Sequence, residues 1–251
     1  MEIITMVDIG NVREINQDYV SYYQKDENES LVVLCDGMGG HNAGEIASQL
    51  TVEYIIEQYK QLPIFDDITQ IEQWLKQIVV DVNGVVYKKS QSALEFEGMG
   101  TTVVIGLIKD KQAFISHVGD SRAYFFNDNE LIQLTKDDTL VNVLVDSGTI
   151  SSDEAQFHPQ KNILLQAVGV SEELKVSFLN KEIEQGLILI CTDGLYNSLF
   201  DSQIIDILKR DISLQDKGNE LMSAAKTYGG KDNIGIALIS RKGVVENESN
   251  K

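Results

Sequence analysis

Twice in 251 residues an apolar, β-branched run reaches a cysteine and then an Asp-Gly: LVVLCDG at 31–37 and LILICTDG at 187–194. Short unbroken apolar runs closed by turn residues read as strands buried on both faces. A chain built on such strands has to cover both faces of its sheets, which excludes an open one-layer structure. Each run ends on an acid, a poor core residue, beside glycine, where a backbone can come close to a ligand. The pattern recurs in two variants. AFISHVGDSR (113–122) closes its strand with Gly119-Asp120, and YGGKDNIGIALI (228–239) sets Asp232 just before a strand. After Asp36 the chain runs through GMGGHNAG, with four glycines between 37 and 44.

Alternating and β-branched stretches predict strands near 2–9, 31–35, 101–108, 112–118, 121–126, 130–134, 175–179, 186–192 and 234–240. Asn127-Asp128-Asn129 is a turn signal joining two of them. Apolar positions three and four apart predict long helices over 43–60 and 68–90, and shorter ones cover 137–146, 151–156, 201–209 and 214–227. Strand pairs without regular intervening helices favour antiparallel sheets, and two successive long helices favour a helical layer upon them. The class is α+β. With two prolines, no Pro-, Gly- or Ser-rich linker and no fixed-period repeat, one domain over 1–241 followed by a polar tail at 242–251 is the simplest parse.

Thirty-nine acids against 21 bases give a net charge of −18. That balance argues against a sequence-independent grip on nucleic acid or anionic lipid. No apolar stretch approaches the roughly eighteen residues of a membrane span, and the N-terminus does not read as a secretory signal. Cys35 and Cys191 close apolar runs and read as buried free thiols, which suits a reducing cytoplasm.

One Asp-Gly at a strand end is usually a turn. Four acids so placed carry more weight, because converging carboxylates repel unless a cation neutralises them. Oxygen ligands favour Mg2+ or Mn2+, and thiolate or imidazole donors are scarce here. Paired ions can share a water, lower its pKa and aim it at phosphorus. An anionic substrate needs a positive anchor, and Arg13 in DIGNVREINQD offers a planar two-point fork, although an ordinary surface arginine fits equally well. Two other phosphate chemistries fail on spacing. After Gly44 come Glu45 and Ile46, not the Lys-Ser/Thr of a phosphate loop, and neither cysteine is followed six residues on by arginine.

The ordered strings DIGNVREINQD, CDGMGGHNAGEIAS, GMGTT, HVGDSRAY, LTKDD, CTDGL and GGKDN resemble the metal-dependent protein serine/threonine phosphatases of type 2C, in their compact bacterial form. The resemblance spans about residues 5 to 239. It implies a four-layer α/β/β/α sandwich, with two central antiparallel sheets flanked by helices and a cleft at one end. It implies two Mn2+ or Mg2+ ions, bridged by Asp36 and served by the carbonyl of Gly37, Asp193 and Asp232. Asp120 with Asp193 resembles the site of a third, weaker ion. Arg13 would clamp the phosphate, Asp18 would orient water, and Asn233 would support the Asp232 loop. A metal-bridging hydroxide would attack phosphoserine or phosphothreonine of protein substrates directly, opposing a cognate serine/threonine kinase in the cytoplasm. In animal relatives the residue after the Asp-Gly is a histidine serving as acid. Met38 stands there, so His41 is the substitute. The resemblance also implies a flap over roughly 136–168, where Asp138 replaces a common histidine and Gln166 an expected arginine. A catalytically silent phosphoprotein-binding module of this fold would lack a ligand or the anchor. None is missing.

Overall fold

Two antiparallel sheets packed face to face carry the fold, and the computed structural model describes residues 1–39, 43–63, 65, 67–127, 130–183 and 185–240. The strands are β1 (Glu2–Asp8), β2 (Asp18–Gln24), β3 (Glu29–Met38), β4 (Gly100–Thr101), β5 (Val103–Lys109), β6 (Gln112–Val118), β7 (Arg122–Asn127), β8 (Glu130–Gln133), β9 (Ser177–Glu182), β10 (Leu187–Cys191) and β11 (Ile234–Ser240). The helices are α1 (Ala43–Lys60), α2 (Ile68–Ser90), α3 (Leu140–Asp146), α4 (Ser152–Phe157), α5 (Asp193–Tyr196), α6 (Asp201–Leu208) and α7 (Leu214–Tyr228). One sheet has the order β1-β11-β10-β7-β8; the other runs β2-β3-β5-β6-β9, with β4 also on β3.

Strand alternation builds three apolar layers. Val32 and Leu34 of β3, Ile188 and Ile190 of β10 and Ala237 and Ile239 of β11 meet between the sheets. The odd residues Leu31, Val33 and Cys35 face the other way, against α1 and α2. Leu189, Cys191, Ile236 and Leu238 likewise face α6 and α7. Period-two alternation in strands that read as continuous apolar runs thus fills a layer on each side, and the result is the four-layer α/β/β/α sandwich. Both cysteines are buried and free, and burial pushes their thiols up, so neither is a ready thiolate.

Several elements differ from expectation. β2 was not predicted from DYVSYYQ: Tyr19, Val20, Tyr22 and Tyr23 are good strand formers, but Asp18, Ser21 and Gln24 leave neither an unbroken apolar run nor a clean period-two alternation. β3 continues past 35 through Asp36 and Gly37 to Met38, so Asp36 lies inside a strand and not beyond its end. The predicted strand 101–108 is broken at Thr102 into β4 and β5, because Thr102 turns its backbone N–H to the Asp36 carbonyl (2.9 Å). The short α5, which starts on Asp193, was also unforeseen. Asp128 and Asn129 of the predicted turn lie outside the described residues, while the strands on either side pair, Asn127 opposite Glu130.

Between β8 and β9 the chain leaves the sheets on a long excursion holding α3 and α4. Its two stems meet each other: Leu140 N donates to Ile163 O (2.9 Å) and Leu165 N to Asp138 O (2.8 Å). No helix of the described residues is long and apolar enough to cross a membrane.

Candidate active site and metal centre

Register delivers the acids to one end of the sandwich. In the second sheet Asp18 stands directly opposite Asp36 across the β2–β3 pair. In the first sheet Cys191, the last residue of β10, pairs with Arg122 on one side and Ile236 on the other. Asp193 after β10, Asp120 before β7 and Asp232 before β11 therefore leave three neighbouring strands at the same end of the sheet. Thr192 joins the two sheets. Its hydroxyl donates to Asp18 Oδ2 (2.7 Å) and accepts from Gly235 N (2.8 Å), entirely out of solvent.

The GMGTT string acquires a role in this setting. Thr102 Oγ1 accepts from Asp36 N (2.9 Å), while Thr101 Oγ1 donates to Asp36 O (2.8 Å). The backbone that presents Asp36 is thus bonded on both polar groups. Gly37 lets α1 approach: a Cβ there would lie 2.1 Å from Gly44 O and 2.7 Å from Gln17 O. Gly194 is tighter still, since its Cβ would stand 1.9 Å from Asn233 O. Gly194→Ala must therefore separate the Asp193 turn from the Asp232 loop. It is expected to cost at least about 2 kcal/mol in urea unfolding, whereas Gly84→Ala, at an exposed position inside α2 where a Cβ meets nothing within 4 Å, should stabilise by about 0.5–1 kcal/mol.

Electrostatics mark these carboxylates as a group. Burial first, then the charges of Asp18, Asp193, Asp120 and Asp232, hold the Asp36 carboxyl well above the usual range. Burial and the Asp120 and Asp232 charges push Asp193 up to about 7, against the opposing pull of Arg13. Asp120 rises to about 6, chiefly through burial and then Asp137. Asp18 is raised well above its ordinary value by burial, despite its bond from Thr192. Two buried oxygens, Asp18 Oδ1 and Asp193 Oδ1, have no hydrogen-bond partner. Leaving such atoms unpaired is costly unless something cationic or protic meets them.

Arg13 is half-exposed, and its Nη2 donates to Asp232 Oδ2 at 2.8 Å. The loop that carries it is bound to the Asp232 segment. Asn233 Nδ2 donates to Ile9 O and Ile15 O (both 3.0 Å), and Asn233 Oδ1 accepts from Gln17 N (2.9 Å). Asn233 thus supports the Arg13 loop, a wider role than bracing the Asp232 loop alone. His41 lies outside the described residues.

An all-oxygen donor set with two unpartnered buried oxygens and mutually repelling acids fits hard divalent cations. Among the described residues no three acid, histidine or cysteine side chains are already closed into a metal cage. The acids share an electrostatic field, and Asp232 is turned to Arg13. Thr101, Thr102 and Thr192 were not singled out as functional in the sequence. Only Thr192 stands beside a candidate acid in sequence; Thr101 and Thr102 reach Asp36 across more than sixty residues, so their roles depend on cross-strand partners.

Residues 11–238 match the family described as Protein phosphatase 2C. Serine/threonine phosphatase stp of Listeria welshimeri is 37% identical over 93% of this chain and 93% of its own. The crystal structure of the serine/threonine phosphatase Stp1 from Staphylococcus aureus superposes with a TM-score of 0.91 at 34% identity, covering 96% of this chain and 95% of that one. The catalytic domain of the phosphatase PstP, solved in complex with two manganese ions, superposes with a TM-score of 0.79 at 31% identity, over 94% and 96% of the two chains. The chain belongs to the protein phosphatase 2C family.

Proposed function

We propose that this enzyme hydrolyses phosphoserine and phosphothreonine in proteins, using Mn2+ or Mg2+, and opposes a serine/threonine kinase in the cytoplasm. The observation that carries the reading is the gathering of Asp18, Asp36, Asp120 and Asp193 into one field, beside an arginine that can reach phosphate. Asp36, the Gly37 carbonyl, Asp193 and Asp232 would hold two ions, and Asp120 with Asp193 a third. When bound, the ions supply Lewis acidity, lowering the pKa of water and spreading the phosphoryl charge.

The chain's own residues do the rest. Arg13 keeps its charge, held mainly by the Asp232 hydrogen bond, and its planar fork suits two phosphate oxygens. Asp18, its Oδ2 fixed by Thr192, keeps Oδ1 free to accept from a water in front of Asp36. His41 remains the proposed proton donor to the leaving alkoxide. The silent-module alternative expects a missing anchor or ligand, and Arg13, Asp36, Asp193 and Asp232 are all present.

The decisive assay compares metal-free and Mn2+-loaded turnover of a phosphothreonine peptide. Binding without turnover in both states would defeat the reading. Arg13→Ala should raise KM for an aryl phosphate about tenfold while kcat moves less than about threefold, the mark of lost ground-state binding. A loss confined to kcat would assign the guanidinium to the transition state instead.

A further inference from the structure

Residues 11–14 are all exposed, Val12 at 66%, so apolar packing does not hold the stretch that carries Arg13. Hydrogen bonds hold it, and besides those to Asn233 they form a closed ring with the end of α7. Asn11 donates twice into that turn, from its backbone N to Gly230 O and from Nδ2 to Lys226 O (both 2.7 Å). The last carbonyls of a helix lack intrahelical donors. Gly230 N, four residues beyond Lys226, is turned to Ser198 Oγ (3.4 Å), and Asn11 takes the place it leaves. The Lys226 side chain returns to the loop. Its Nζ donates to Asp8 Oδ2 (2.9 Å), while Asp8 Oδ1 accepts from Gly10 N (2.8 Å).

The ring leaves the loop little play. Gly10 has φ +79°, and a Cβ there would stand 2.2 Å from Asp232 O, so the chain passes flush against the segment whose carboxylate meets Arg13. Gly230 has φ +61°, and a Cβ on it would stand 2.4 Å from Asn11 Nδ2. The ring also borders an open hollow of about 500 Å3 whose lining includes Asp8, Asn11, Lys226 and Met222, so a loop released from α7 has room to shift. Arg13 is two residues from Asn11, and a guanidinium offers two donors to one phosphate only when its backbone is fixed. Neither Asn11 nor Lys226 is among the residues to which the family resemblance gives a role.

We propose that Asn11 and Lys226 are positioning residues: together they tie the phosphate-clamping loop to the C-terminus of α7 and so set the place of the Arg13 guanidinium. The inference rests on the phosphate-binding role proposed for Arg13, but the tie itself does not.

The test uses the full chain loaded with Mn2+, an aryl phosphate as substrate and inorganic phosphate as inhibitor. Asn11→Ala should raise KM and the inhibition constant of phosphate about fivefold, and Lys226→Ala about threefold, while kcat stays within about twofold. Lys226→Arg keeps a charged donor for Asp8 and should hold both constants within about 1.5-fold of wild type, which separates the bond from a folding defect. In an Arg13→Ala background, Asn11→Ala should move neither constant by more than about 1.5-fold, because its effect passes through the guanidinium. In the metal-free protein the backbone amides at positions 10 and 11 should exchange about fivefold faster in Asn11→Ala and in Lys226→Ala. Full multiplication of the two losses in the double variant, or a loss confined to kcat, would overturn the proposal. A wild type inert toward the aryl phosphate would defeat the functional reading instead, and the exchange measurement would still decide whether α7 holds the loop.

Discussion

Asp36→Ala should lower kcat toward an aryl phosphate by at least about a thousandfold, roughly 4 kcal/mol of transition-state stabilisation, and should do so in a folded protein. The size follows from position. Asp36 feels the charges of Asp18, Asp193, Asp120 and Asp232 at once, which suits the shared-ligand role proposed for it. Survival of the fold follows from what the substitution spares. Thr101 and Thr102 bind the Asp36 backbone, not its carboxylate, so the β3–β5 junction keeps its bonds. Removing an acid that its neighbours and its burial disfavour should leave the metal-free protein at pH 7 at least as stable as wild type. The thermal response to Mn2+ should shrink in the same variant. Near-normal turnover would sink the metal assignment, whereas lost turnover with a collapsed melting transition would make Asp36 a structural residue.

Legibility of the site followed a physical boundary. The acids on strongly apolar strands, Asp36, Asp193 and Asp232, stand out because a charge at the end of an isoleucine- and valine-rich run has no packing reason to be there. That they meet is a property of sheet order. β10 neighbours both β7 and β11, while β3 belongs to the opposite sheet, and nothing local in LVVLCDG or LILICTDG encodes that pairing. Thr192 shows the limit most sharply. Its partners Asp18 and Gly235 lie 174 and 43 residues away, so its role exists only after both sheets have formed. β2 was missed for a related reason. An edge strand without a clean apolar alternation gets its register from β3, and register is what sets Asp18 opposite Asp36. Asp138 and Gln166 were visible as residues, but their bonds were not, because one runs to the backbone of Gly119, 19 residues back, and the other to the backbone of Lys175, nine residues on.

Metal-free protein should lose thermal stability as pH rises from about 4 to about 7, the reverse of the trend that ion-paired carboxylates give. The sign comes from proton counting. Asp193 has an ordinary value of 3.8 and is pushed up to about 7 in the fold by burial and the neighbouring acids. Asp120 is pushed up to about 6, and Asp36 and Asp18 move in the same direction. Between the two values the folded state holds a proton that the unfolded state has released, so stability falls with rising pH. Glu29 works oppositely. Its burial is outweighed by the Tyr59 and Lys109 hydrogen bonds, its carboxyl is lowered, and its contribution is lost only on acidification below its ordinary range. Metal-free melting temperature should therefore peak on the acidic side of neutrality. Manganese should flatten the upper limb, since a divalent ion replaces the protons as the neutralising charge. At a hundred times its dissociation constant it should add about 2.7 kcal/mol, or roughly 5–10 °C at pH 7.5, and much less at pH 5 where protons compete for the same oxygens. Differential scanning calorimetry in EDTA and in Mn2+ at the two pH values reads all four states without any turnover. A metal-free transition that is flat or rises across this window, unmoved by manganese, would mean that the clustered acids neither repel one another nor hold an ion.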